Sequence, residues 1–78
     1  MSVRVRYFAA AAEAAGTDAE DRTEPSLAAL RDAVVADHPA LADILGRCAV
    51  LVDGTRHDDD APLADVTHVD VLPPFAGG

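Results

Sequence analysis

The two best strand signals in this chain lie at its opposite ends, and that separation constrains the fold more than any other feature. Residues 2–8 alternate, with Val3, Val5 and Tyr7 on one side and Arg4, Arg6 and Phe8 on the other. This is the two-residue period of a half-buried strand. Val66 to Leu72 forms a second apolar strand with Val69 and Val71 inward, and Pro73 and Pro74 stop it because neither offers an N–H to a ladder. The two most apolar end strands are expected to sit centrally in one sheet. Everything between them must then flank that pair or cross its face.

The intervening residues divide cleanly. Ala9 to Ala15 can make about two helical turns, and Gly16 supplies a left-handed stop. So short a helix does not hold alone and must lean on the sheet. Residues 17–25 are polar and acidic, which suits a weak edge strand whose charges discourage edge-to-edge pairing. Ser26 is a good N-cap for a helix reaching about Asp37, and Leu27, Leu30 and Val34 make one apolar stripe. Pro39 ends that helix, and Leu41, Ile44 and Leu45 predict a further helical turn or two closed by Gly46. Ala49 to Val52 reads as a short buried strand, Asp53-Gly54 as a two-residue hairpin turn and Thr55 to Asp58 as the return strand. The order predicts an α+β fold with one mixed sheet and one main crossing helix.

The chain has 78 residues and a formal net charge of −8, from fourteen acidic residues against six arginines and no lysine. Half of it is hydrophobic, yet only three residues are aromatic and seventeen are alanine. Below roughly 70–80 residues one core seldom supplies more than about 3–5 kcal/mol, so a deep enzyme-style pocket is not expected. Nucleic-acid binding rests on cations that neutralise phosphates, and this charge balance argues against it. An acidic surface suits a partner with a basic docking face. The apolar run from Tyr7 to Ala12 is broken by Glu13 and is too short for an export signal or a membrane span. The expectation is a soluble cytoplasmic protein, and the single cysteine, Cys48, fits a reducing compartment.

The tail Leu72-Pro73-Pro74-Phe75-Ala76-Gly77-Gly78 is the most informative stretch. Two prolines stiffen the exit from the sheet toward polyproline geometry, at ~3.1 Å per residue. The six residues from Pro73 can hold the terminus ~18–20 Å from the fold. Gly77 and Gly78 lack a Cβ, so their backbone can pass a channel too narrow for other residues. What reaches the far end is one reactive group, the Gly78 carboxylate. The organisation expected is one domain over 1–78 with a flexible tail over 73–78.

That tail resembles those of the MoaD/ThiS sulfur carriers, a ubiquitin-like β-grasp family, and most closely the molybdopterin-synthase small-subunit branch. The resemblance extends to Val3-Arg4-Val5-Arg6-Tyr7-Phe8-Ala9 with Ala14-Ala15-Gly16, to Ser26-Leu27, and to Val50-Leu51-Val52-Asp53-Gly54. Two departures stand out: Asp65-Val66-Thr67-His68 replaces the family's Gly-Asp turn before the last strand, and the second strand is almost wholly polar. The resemblance implies a carrier cycle. A ubiquitin-activating-like adenylyltransferase, using ATP and magnesium, would adenylate Gly78. A sulfur donor protein would convert it to a thiocarboxylate. The synthase large subunit, in an implied heterotetramer, would accept the tail for sulfur delivery to the pterin precursor of the molybdenum cofactor. Pro73, Pro74, Phe75, Ala76 and Gly77 would thread the tail into each partner. The chain would donate a substrate group and supply no acid–base catalysis, with no cofactor or metal of its own. The alternatives are a carrier for another pathway (thiamine, cysteine or a secondary metabolite), a ubiquitin-like modifier joined to other proteins, and an interaction domain with an inert tail.

Other candidates read as structural. Cys48 has no triad partner and suits a small buried hydrophobe. His57 beside Asp58, Asp59 and Asp60, or His68 with Asp70, falls short of the converging ligands a metal needs, and an acidic run is normally a solvated loop. His38 suits a helix C-terminus. Phe8 and Leu72 differ: with the neighbouring valines facing the helix, they face the other side of the sheet near the tail. With Phe75 they are expected to form the partner-docking patch.

Overall fold

The computed structural model describes residues 2–74. Five strands and two helices follow the expected order: β1 (Val3–Tyr7), α1 (Ala10–Ala15), β2 (Ala19–Arg22), α2 (Leu27–Asp37), β3 (Ala49–Val52), β4 (Thr55–Arg56) and β5 (His68–Leu72). They form one mixed sheet in the order β2-β1-β5-β3-β4. The terminal strands β1 and β5 lie side by side and parallel, with Val5 opposite Val69 and Tyr7 opposite Val71. Both neighbours of β5 therefore come from distant parts of the chain, since β3 pairs antiparallel on its other edge.

Alternation sends Val3, Val5, Tyr7, Val50, Val52, Val69 and Val71 to one face, where Leu27, Leu30 and Val34 of α2 meet them in the buried core. Ser26 caps α2 by accepting from the Ala29 N–H at 3.2 Å. Asp60, from the acidic loop, accepts from the Ala28 N–H at 2.7 Å, so one carboxylate of that run completes the helix start and complements its dipole. Gly16 ends α1 with φ 73°, a left-handed conformation that costs glycine little. Asp53 and Gly54 both have positive φ, 48° and 87°, as the two-residue primed hairpin turn requires.

Three local expectations are corrected. The segment after Pro39 makes two 3-10 turns, Pro39–Asp43 and Leu45–Arg47, and Gly46 sits inside the second rather than closing a helix. Leu41 and Leu45 are nevertheless buried as the spacing implied. The return strand stops at Arg56, and the loop beyond it is tied to α2, where Arg31 Nη2 donates to the His57 carbonyl at 3.2 Å and the Ala28 N–H to Asp60. The last strand starts at His68, not Val66. Asp65 takes φ 67° and the Val66 N–H bonds back to the Leu63 carbonyl at 3.1 Å. A turn therefore occupies the place of the Gly-Asp turn. The Asp53 carboxylate then accepts from the N–H groups of Thr67 and His68, each at 3.0 Å, and so sets where β5 begins.

Candidate functional site

The tail leaves the sheet from β5, the central strand, and that position determines what can happen beyond it. Val71 is held on both sides, by Tyr7 on β1 and by Val50 on β3, and Leu72 is paired with Ala49 on β3. The Phe8 N–H donates to the Val71 carbonyl at 3.2 Å, the last rung before the prolines. Pro73 is buried and Pro74 exposed. Pro73 is thus seated on the body, and Pro74 faces solvent. Phe75, Ala76, Gly77 and Gly78 lie outside the described residues.

The sheet face opposite α2 is organised in rows by the strand register. Nearest the tail lie Phe8, Leu72 and Ala49; next come Ala19, Arg6, Asp70, Leu51 and Arg56; farthest are Asp21, Arg4 and His68. Polarity therefore rises along the strands, from an apolar end at the tail root to a charged end. Phe8 is 40 % exposed, the one large hydrophobic residue so open among the described residues, and Leu72 is half-buried. Of the three expected docking residues, Phe8 and Leu72 thus sit on this face at the tail end, and Phe75 lies outside the described residues.

Two features of the face were not expected. Arg6 forks onto Asp70, with Nε donating to Oδ1 at 2.5 Å and Nη2 to Oδ2 at 2.8 Å. The hydrogen bond to Asp70 raises the Arg6 pKa further. Asp70 is 8 % exposed, the one buried charged side chain among the described residues. An acidic residue between Val69 and Val71 was the available signal, but its partner depended on the β1–β5 register. The second feature is charge balance. Arg4, Arg6 and Arg56 pair with Asp21, Asp70 and Asp58. This side of the sheet is therefore near neutral, and the excess negative charge lies elsewhere.

The rival candidates are used structurally. Burial pushes the Cys48 thiol up, with the nearby Arg47 opposing it, and Sγ donates to the Ile44 carbonyl at 3.3 Å. A protonated, buried thiol is a poor nucleophile. His38 ends α2 and places Nε2 2.7 Å from Glu20, which also accepts from the Tyr7 hydroxyl at 2.6 Å. Burial, followed by the Glu20 hydrogen bond, raises the Tyr7 pKa. Burial also pushes the Glu20 carboxyl up, but bonds from Tyr7, His38 and Arg22 outweigh it and hold the carboxyl below its ordinary value. Arg22 gathers Glu20, Glu24 and Asp37, tying the polar edge strand to the end of α2. Among the described residues no three His, Cys, Asp or Glu side chains are grouped to hold a metal. No helix among them is long and apolar enough to cross a membrane.

Comparison with known proteins agrees with this architecture. Subunit 1 in the complex of subunits 1 and 2 of molybdopterin-converting factor from Helicobacter pylori is similar, at 29 % identity and TM-score 0.75 with both chains covered in full. Small archaeal modifier protein 1 from Haloferax volcanii is similar at 27 % identity and TM-score 0.75, again over the full length of both chains. The solution structure of small archaeal modifier protein 1 from Methanosarcina acetivorans, at 22 % identity, shares the fold with TM-score 0.76 over 99 % of this chain and 96 % of its own. No curated protein sequence matches. The family model of the ThiS family matches residues 5–78, from within β1 through the terminal Gly-Gly. With its ubiquitin-like β-grasp sheet and this match, the chain belongs to the ThiS family.

Proposed function

We propose that this chain is a sulfur carrier whose Gly78 carboxylate is activated and converted to a thiocarboxylate, and that it serves as the small subunit of a molybdopterin synthase. The observation that carries the reading is the Gly-Gly terminus set, through two prolines, on the central strand of a ThiS-family fold. A strand paired on both edges is a rigid mount, and Pro73 is buried at its end. The expected neighbourhood is single-domain, with residues 73–78 as the tail.

The chemistry assigned to Gly78 needs partners. A carboxylate is inert to nucleophiles, so an adenylyltransferase using ATP and magnesium transfers AMP to it and releases pyrophosphate. A persulfide sulfur on a donor protein displaces AMP, and a thiol cleaves the resulting acyl persulfide, ending as part of a disulfide. The thiocarboxylate left on Gly78 is the better nucleophile and delivers sulfur to the pterin precursor inside the large subunit. Gly77 and Ala76 keep the threaded chain thin, while Phe8, Leu72 and Phe75 anchor the body. The large-subunit partner is supported by the Helicobacter pylori relative, which is a complex of subunits 1 and 2.

A second reading has its own support. The similarity to small archaeal modifier protein 1 fits a carrier that also joins other proteins through Gly78. Both readings share adenylation, and intact mass tests it. Wild type and a chain lacking Gly78 are incubated with an activating enzyme, ATP and a sulfur donor. A gain of one oxygen-to-sulfur exchange in wild type alone supports the carrier. No gain with a demonstrably active enzyme overturns it, and a ladder of covalent adducts favours the modifier.

A further inference from the structure

The open face of the sheet meets a partner with one feature that apolar docking does not explain. Arg6 and Asp70 stand in its middle row, between the apolar tail end and the charged far end. An ion pair in the centre of a docking surface must be desolvated when the partner arrives. That is costly unless every remaining donor finds an acceptor. Asp70 needs nothing more: it is already nearly covered and both of its oxygens are engaged by Arg6. Arg6 does need more. Its Nε–Nη2 edge is spent on Asp70, but its side chain is 46 % exposed. The opposite edge, Nη1 with the outer N–H of Nη2, has no partner within the chain among the described residues.

A guanidinium edge offers two parallel N–H bonds, the geometry that a carboxylate fills. Asp70 holds the fork from one side, and the Phe8 ring lies 6.0 Å from its centre on another. The free edge is thus presented in a narrow range of orientations. This preorganisation lowers the cost of engaging it. The surrounding charge sharpens the point. Each of the three arginines on this side is already matched by an aspartate, while the rest of the chain is strongly acidic. A partner drawn in by basic surface around the interface would carry an acidic side chain at one position only.

We infer that Arg6, oriented by Asp70, is the specificity element of the docking face, and that the partner subunit presents a carboxylate to its free edge while covering Phe8 and Leu72 with apolar surface. This rests on the open face being the docking face, as in the function proposed above. It adds the chemistry of the partner: an apolar patch beside the opening that takes the tail, and one acid set back from that opening along the strand direction.

The test is calorimetric titration of the full-length chain with the molybdopterin-synthase large subunit encoded in the same genome, at physiological salt. Arg6→Leu/Asp70→Ala removes the pair together, so no buried charge is stranded on this chain. Circular dichroism checks that the variant is folded. The expected result is binding at least ten-fold weaker than wild type, because the partner carboxylate is left without its fork. Arg6→Lys, which keeps the charge but not the paired N–H bonds, is expected to fall between. Equal or tighter binding by the double variant overturns the inference. Phe8→Asp separates the two levels of the argument. Loss of binding by Phe8→Asp with none by the double variant removes Arg6 alone. Unchanged binding by Phe8→Asp removes the docking face and Arg6 together, as does a wild-type chain that does not bind.

Discussion

The two faces of the sheet are made by alternate residues of the same strands, yet they obey different rules. Toward α2, β1 and β5 present Val3, Val5, Tyr7, Val69 and Val71, all buried. Toward the open side they present Arg4, Arg6, His68, Asp70 and Leu72, with Phe8 next in line. The closed face has its partner within the chain and is selected for volume and apolarity. Among the described residues the open face has none, and its side chains are matched in charge and graded in polarity, with the apolar ones at the root of the tail. The comparison teaches that one half of each central strand is enough to build the core, which leaves the other half for the recognition proposed above.

The largest contrast comes from placing one charge on each face. Val69→Asp puts a carboxylate at a fully buried site of the closed face, within the apolar cluster. An uncompensated buried charge costs about 3–5 kcal/mol, comparable to all that one core of this size supplies. The expected outcome is loss of the folded state by circular dichroism. Leu72→Asp, three residues along on the open face, is expected to keep the fold within about 1 kcal/mol and to lose at least about 2 kcal/mol of affinity for the large subunit, as a hot-spot residue does. If both variants unfold alike, the division of labour between the faces is wrong.

A smaller effect sharpens the comparison at the sheet edge. The Glu20 pKa is lower in the fold than in the unfolded chain, so the fold favours its ionised form. That contribution is fully present above the ordinary value of 4.5 and is lost as pH falls through the lowered one. Glu20→Gln is expected to cost about 1 kcal/mol at neutral pH and to flatten the acid limb of a urea-midpoint-against-pH curve. A residual slope remains from Asp37, which Arg22 holds below its usual range. An acid limb as steep as that of wild type would remove Glu20 from the edge latch. The smallest effect is local: Ser26→Ala removes the side-chain acceptor at the start of α2, and with Asp60 still bonded to the Ala28 N–H it is expected to cost about 0.5 kcal/mol, the low end for a lost cap, in urea denaturation, with partner affinity unchanged.

Much of this architecture was legible in the residue pattern. The period of Val3, Val5 and Tyr7, the cap at Ser26, the stripe of Leu27, Leu30 and Val34, and the Asp53-Gly54 turn all rest on contacts within a few residues, and each is found where its chemistry places it. The start of β5 was not legible, because it depends on the Asp53 carboxylate reaching Thr67 and His68, fourteen and fifteen residues away. Nor were the 3-10 turns after Pro39, since helical spacing does not distinguish them from a true α-helix. At the candidate site, Phe8 and Leu72 could be assigned to one face by alternation alone, but nothing in the spacing joined Arg6 to Asp70, sixty-four residues apart.

By itself, the sequence determined most of the elements and the core, because periodicity, capping and turn chemistry are short-range. The central place of β1 and β5 was legible in their apolarity; only the tertiary structure decided that they run parallel in the register that sets Arg6 beside Asp70, and that Pro73 is seated while Pro74 faces solvent. Those facts depend on which strand edges meet. That choice is made by burying the valines of two chain ends against α2 together, a long-range event that leaves no mark on local spacing.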